Sequence, residues 1–194
     1  MTASFPTAEA IQDCRTIRQF KPNPVSEDLI AELLNVAALG PHPGRNEPWR
    51  FLLFVEEGKK TLTDAIIQNG VKKRDPDKLM RVPAYLMVVI KQSTTALDSD
   101  QNYATACTLI QNFRLTAWER GLGVSWMMKP YMYRQAFLET CGVMPDEKLV
   151  GLMQIGYPEV LPVAAQPTPV QQKWTVVRTI ITTEANGYNH ECSI

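Results

Sequence analysis

Residues 84–91, Ala-Tyr-Leu-Met-Val-Val-Ile-Lys, present apolar side chains at both sets of alternating positions. Such a run reads as a strand buried on both faces, which constrains the fold more than any amphipathic segment does. It is far too short to cross a bilayer, which takes ~20 residues. Residues 149–155, Leu-Val-Gly-Leu-Met-Gln-Ile, read as a second buried strand.

Around these two strands the chain alternates between helix and strand. Ser26, followed by Glu27 and Asp28, is a helix start, with a capping hydroxyl and acidic groups at the positive end of the dipole. Leu29, Ile30, Leu33, Leu34, Ala37 and Ala38 then repeat with helical spacing until Gly40-Pro41 stops them. Residues 50–55 read as a strand and 57–68 as an amphipathic helix. Asp98, Ser99 and Asp100 offer caps for a long helix through Tyr103, Cys107, Ile110, Phe113, Leu115 and Trp118, closed by Gly121. Its apolar residues occupy more than one face, as in a central or interface helix. Residues 122–126 read as a strand and 134–140 as a helix ended by Gly142. Residues 157–172 form a proline-interrupted extension, and 173–183 regain strand character. With 194 residues, 45% of them hydrophobic, the chain fits one domain over 1–194, with 157–194 as its carboxyl-terminal extension.

Composition narrows the chemistry. Twenty Lys and Arg balance twenty Asp and Glu, which argues against a general nucleic-acid binder; Lys72-Lys73-Arg74 reads as a solvated loop. Cys14, Cys107, Cys141 and Cys192 have no metal-ligand spacing and read as reduced thiols in a soluble, cytosolic protein, with no secretory signal at the amino terminus. The only histidines are His42 and His190, no Gly-x-Ser-x-Gly elbow exists, and Gly121-Leu122-Gly123 precedes a strand rather than following one. Hydrolysis by a nucleophile and a Rossmann dinucleotide unit are both unsupported. No side chain reads as catalytic and none as a metal ligand, so an enzyme of this sequence would leave the hard chemistry to a cofactor.

Two segments suit a flat, phosphate-bearing cofactor. Arg15-Thr16-Ile17-Arg18-Gln19-Phe20 places two guanidinium groups and a hydroxyl within four residues, a set matched to phosphate oxygens by charge and fork geometry. Residues 40–51, Gly-Pro-His-Pro-Gly-Arg-Asn-Glu-Pro-Trp-Arg-Phe, form a turn that can bring backbone amides close to a ligand before entering a strand.

Arg15-Thr16-x-Arg18-x-Phe20, the capped helix ending at Gly40-Pro41, and Glu47-Pro48-Trp49-Arg50-Phe51 resemble the opening pattern of the nitroreductase family of FMN-dependent oxidoreductases. Gly121-Leu122-Gly123-Val124-Ser125-Trp126 resembles the family's Gly-Leu-Gly segment, and residues 149–158 its final core strand. The order and intervals agree over 14–158.

The resemblance implies an α+β fold with a mixed β-sheet sandwiched by helices, in an intertwined homodimer with FMN at the subunit interface and the extension crossing to the partner. It implies NAD(P)H as electron donor and ping-pong hydride transfer to electron-poor acceptors such as nitroaromatics or quinones. Arg15 and Thr16 would hold the FMN phosphate, and Arg18 the phosphate or the pyrimidine oxygens. Pro43, Arg45 and Glu47 would meet the cofactor from the loop, Trp126, Met127 and Met128 would run along the ring, and Lys173 would reach the phosphate. The loop departs from the family's usual Ser-Gly-x-Asn-x-Gln: Arg45 stands where asparagine is common and Glu47 where glutamine is, and the two could equally form an exposed ion pair. This departure leaves open a specialised relative that performs dehalogenation or flavin fragmentation. A non-catalytic flavin-binding protein is the other alternative.

Overall fold

Four strands, Trp49–Phe54 (β1), Ala84–Lys91 (β2), Gly123–Met127 (β3) and Glu147–Gly156 (β4), form one sheet in the order β1-β2-β4-β3. The computed structural model describes residues 6–40, 47–70, 74–164 and 168–176. Each neighbouring pair of strands is antiparallel, which corrects the expectation of a mixed sheet. Among the described residues the one parallel pairing is an isolated bridge between Thr16 and Val124. The reason is visible between β1 and β2, where helices Glu56–Asn69 and Pro76–Met80 return the chain to the same end of the sheet instead of crossing over it.

Those two helices, α3 and α4, follow Pro6–Asp13 (α1) and Glu27–Ala37 (α2) and precede Ala96–Glu119 (α5) and Gln135–Thr140 (α6). On one face of the sheet Leu86, Val88 and Ile90 pack with Ile30 and Leu33 of α2 and with Leu109, Ile110 and Phe113 of α5. On the other face Tyr85, Met87 and Val89 pack with Leu62 and Ile66 of α3, Leu79 of α4 and Phe137 of α6. Every residue of β2 except Lys91 is buried, as its sequence requires. Burial also pushes the Tyr85 phenol up to about 12, and its hydroxyl donates to the Leu79 carbonyl at 2.9 Å.

The start of α5 differs from expectation. Thr95, not Asp98, is the cap: its Oγ1 accepts from the Asp98 N–H at 3.1 Å and donates to Asp98 Oδ2 at 2.7 Å. This reciprocal pair is a variant of the capping box, with Asp98 as its third helical residue. The compact units of the chain are Met1–Ala164 and Ala165–Ile194. In the second unit Val170–Gln172 forms a 3-10 turn and residues 173–176 are not a strand; the rest of the expected strand lies outside the described residues.

Candidate functional site

After α1 the chain crosses the end of the sheet as a strap. Ile17 N–H donates to the Val124 carbonyl at 3.3 Å, Lys21 N–H to Tyr157 at 2.9 Å, and Glu159 N–H returns to Gln19 at 3.0 Å. Ile17 and Phe20 are the pins, with exposures of 0% and 4%. Each such side chain contributes about 1.5–3 kcal/mol by leaving water. Ile17 lies so close to β3 that a Cβ on Gly123 would sit 2.3 Å from its Cγ1, so only glycine fits there. With the pins turned inward, Thr16 and Arg18 face out.

Polar groups gather where the strap meets α5. Arg114 Nη2 donates to Thr16 Oγ1 at 3.2 Å, and Arg114 Nη1 donates to Gln111 Oε1 at 3.0 Å. Its Nε is buried with no partner among the described residues. Beside it, Arg15 Nη1 donates to the Gln12 carbonyl and, at 3.2 Å, to that of Cys14. Neither guanidinium forms an ion pair among the described residues. Burial pushes the Cys14 thiol up, against the pull of Arg114 and then Arg15. Two guanidinium groups, a hydroxyl and an orphaned N–H on one rim fit a phosphate. Sequence reasoning missed Arg114, reading its helix for apolar faces alone. The available signal was that α5 contains no other Lys or Arg in 24 residues.

The same edge of the sheet carries Trp126, Met127 and Met128. Thr16 bridges Val124, and Met127 lies three residues further along β3, ~10 Å away at ~3.3 Å per residue. Among the described residues β3 pairs on its outer side only through that bridge. The Trp126 indole turns inward over β4, where a Cβ on Gly151 would lie 1.9 Å from Nε1. Nε1 is buried and without a partner among the described residues. Met127 is half-buried, while Met128 is exposed, its Sδ accepting from the Tyr103 hydroxyl at 3.5 Å.

Arg18 lines a cavity of about 280 Å³ together with Gln19, Phe20, Lys78, Arg81, Val82 and Glu159. Glu47 is elsewhere. It is exposed just before β1, on a polar cleft of about 500 Å³ shared with Asn102, Asp146 and Glu147. β1 and β3 are the opposite edges of the sheet, three strand spacings or ~14 Å apart. The structure therefore brings Arg15, Thr16 and the Trp126–Met128 strand end to one edge, with Arg18 around the corner, and leaves Glu47 at the other edge. Pro43 and Arg45 lie outside the described residues. Lys173 is exposed in the second unit, its N–H closing the short turn onto Val170 at 2.8 Å.

At the Glu47 cleft, Arg50 and Glu147 form a two-pronged ion pair, Nε to Oε1 and Nη2 to Oε2, both 2.6 Å. The guanidinium holds the Glu147 carboxyl below its ordinary range, helped by the Met144 N–H. Among the described residues no group of three His, Cys, Asp or Glu could hold a metal ion, and no helix is long and apolar enough to cross a membrane.

Comparisons with known proteins agree with this geometry. Residues 11–157 match the model of the Nitroreductase family. YfhC of Bacillus subtilis (strain 168), named as a candidate NAD(P)H nitroreductase, is 31% identical over 179 residues, covering 86% of this chain and 92% of its own length. A nitroreductase-like family protein of Bacillus cereus superposes with a TM-score of 0.85 at 32% identity, over 92% of this chain and all (100%) of the other. A candidate nitroreductase of Desulfovibrio desulfuricans, solved in complex with FMN, superposes at 0.74 with 18% identity, over 92% of this chain and 100% of the other, and supports the fold alone. With most of its length matched by the family model, and with a relative above 30% identity spanning most of both chains, this protein belongs to the Nitroreductase family.

Proposed function

We propose that the chain is an FMN-dependent NAD(P)H oxidoreductase that reduces electron-poor acceptors such as nitroaromatics or quinones. The observation that carries this reading is the convergence of Arg15, Thr16 and Arg114 at the end of a sheet edge that, among the described residues, is otherwise free of a paired strand. The name of the Bacillus subtilis relative supports it.

In this reading Arg15, Arg114 and the Thr16 hydroxyl hold the phosphate, exchanging their present bonds to backbone and side-chain oxygens for charge-assisted ones. The β3 edge through Trp126, Met127 and Met128 lies along the ring, with Met128 as a soft apolar wall. Arg18 meets the pyrimidine oxygens. Bound FMN would supply the two-electron redox chemistry between NAD(P)H and the acceptor, with these residues holding it. The chain's task is to orient the ring and leave one face open, which requires no triad.

The position of Glu47 supports a homodimer. One cofactor at the β3 edge cannot reach a residue beyond β1 of the same chain, ~14 Å across the sheet. In this reading a two-fold axis brings Glu47 of one chain to the β3 edge of the other. In the same reading Lys173 reaches the phosphate.

The test is a spectrum of the purified protein. Bound flavin absorbs in the blue and bleaches when NAD(P)H is added, and acceptor restores the colour. A colourless protein that cannot be loaded with FMN rules the reading out; a coloured protein that never bleaches is a flavin binder without this activity.

A further inference from the structure

A 3-10 turn, Pro130–Tyr133, continues the chain beyond β3 and packs Tyr131 into the core on the face covered by α3 and α6. Tyr131 is 5% exposed, and its ring meets Phe137 edge-on, with centroids 5.7 Å apart and planes at 82°. Its hydroxyl is buried with no partner among the described residues. The nearby Tyr85 phenol cannot serve as acceptor's substitute, because it directs its own proton to the Leu79 carbonyl. An orphaned hydroxyl of this kind is costly: it gives up its bonds to water and recovers none.

A cation stands beside it. Arg74 lies over the Tyr131 ring, its Cζ 5.4 Å from the centroid, half-buried and in no ion pair among the described residues. The adjacent carboxylate of Asp75 caps α4 instead, its Oδ1 accepting from the Asp77 N–H at 3.0 Å. Burial pushes the Tyr131 phenol up against the opposing pull of Arg74, so the hydroxyl stays a neutral donor. An unmet O–H next to an unmet guanidinium is complementary to an oxygen that carries negative charge, and Phe137 adds an aromatic wall suited to a planar ring.

We infer that Tyr131 and Arg74 form a site for an oxygen borne on an aromatic ring, a phenolate or quinone oxygen, and hold the acceptor by it. The charge-assisted bond to the ligand replaces the weaker contact between the guanidinium and the phenol face. Tyr131 lies three residues beyond Met128, within ~10 Å along the chain, so the site adjoins the edge along which the ring is proposed to lie. The choice of an acceptor as the ligand rests on the flavoenzyme reading above. Binding of the oxygen does not, since neither residue belongs to the phosphate cluster or to the cavity at Arg18.

Equilibrium dialysis of the purified protein against 4-nitrophenol, without NAD(P)H and at a pH where the phenolate is present, tests the site directly. The wild type should bind the phenolate roughly tenfold or more tightly than 4-nitroanisole, which has the same ring and no charged oxygen. Tyr131→Phe and Arg74→Gln should each weaken the phenolate about tenfold and leave 4-nitroanisole unchanged. Urea unfolding supplies the second readout: Tyr131→Phe should be as stable as the wild type or more so, because it removes an unmet hydroxyl. A loss of stability in Tyr131→Phe means that the hydroxyl has a structural partner, and overturns the site. Equal phenolate binding by wild type and both variants, or no binding at all, overturns it too. Recolouring of the bleached protein by 1,4-benzoquinone should slow in both variants. If no acceptor is reduced, the flavoenzyme reading fails while dialysis still decides the site.

Discussion

The Thr16 hydroxyl and the Arg114 guanidinium meet at 3.2 Å although 98 positions separate them in the chain. This bond ties the strap to the long helix and presents the second guanidinium of the proposed phosphate site. Replacing Arg114 by Ala is expected to weaken FMN about 10- to 100-fold, the range of a charged hydrogen bond of about 1.5–3 kcal/mol. Arg15→Ala should do the same. Fluorescence titration of FMN measures both, with circular dichroism confirming that the fold is retained. Arg114→Lys restores only part of the loss, because an ammonium lacks the planar fork.

Glu147 provides a pH test independent of any cofactor. Its folded carboxyl titrates below the ordinary value of 4.5, chiefly through the hydrogen bond from Arg50. A lowered folded value means the stabilisation is complete above 4.5 and is lost as the pH falls through the folded value. Urea unfolding should show Glu147→Gln less stable by about 1–3 kcal/mol at neutral pH, because it strips the charged partner from Arg50. Below about pH 4 the gap should narrow. A gap that is constant from pH 7 to pH 3 would contradict the assigned pairing.

Gly151 and Trp126 form a steric lock between β4 and β3. An added methyl would sit 1.9 Å from the indole nitrogen, so Gly151→Ala should cost about 1–3 kcal/mol by overpacking. Combining it with Trp126→Leu should recover part of that cost. The coupling between the two, read from a double-mutant cycle in urea, distinguishes this contact from a general intolerance of strand substitution.

The proposed sharing of one cofactor between two sheet edges predicts assembly. Sedimentation equilibrium should give about twice the chain mass of 21.9 kDa. Flavin binding should weaken when the protein is diluted to the point where monomers predominate, because neither edge alone completes the site.

Much of this was legible in the residues. Ser26 caps α2 as its spacing requires, accepting from Leu29 N–H at 3.4 Å, and the buried strand 84–91 has the bounds its apolar run sets. The start of α5 was misread because Thr95 and Asp98 form one reciprocal pair, in which the acid looks like a cap but lies inside the helix. The five-residue helix α4 was missed for its length, despite Asp75 and Pro76 at its start. Arg15, Thr16 and Arg18 could be singled out as candidates because their signal is local. Arg114 was harder to single out: it is the lone Lys or Arg on α5, but only the packing of α5 against the strap brings it to Thr16. The sheet order that separates Glu47 from the rest is likewise set by long-range pairing, on which local spacing is silent.

Ile17 and Phe20 have one more effect. Because they anchor the strap in the core, the backbone bearing Arg15, Thr16 and Arg18 is ordered when the protein folds, before any ligand arrives. Association at this edge should then resemble a key entering a cut lock: rapid capture, little change in heat capacity from the strap, and affinity that tracks the charges presented there.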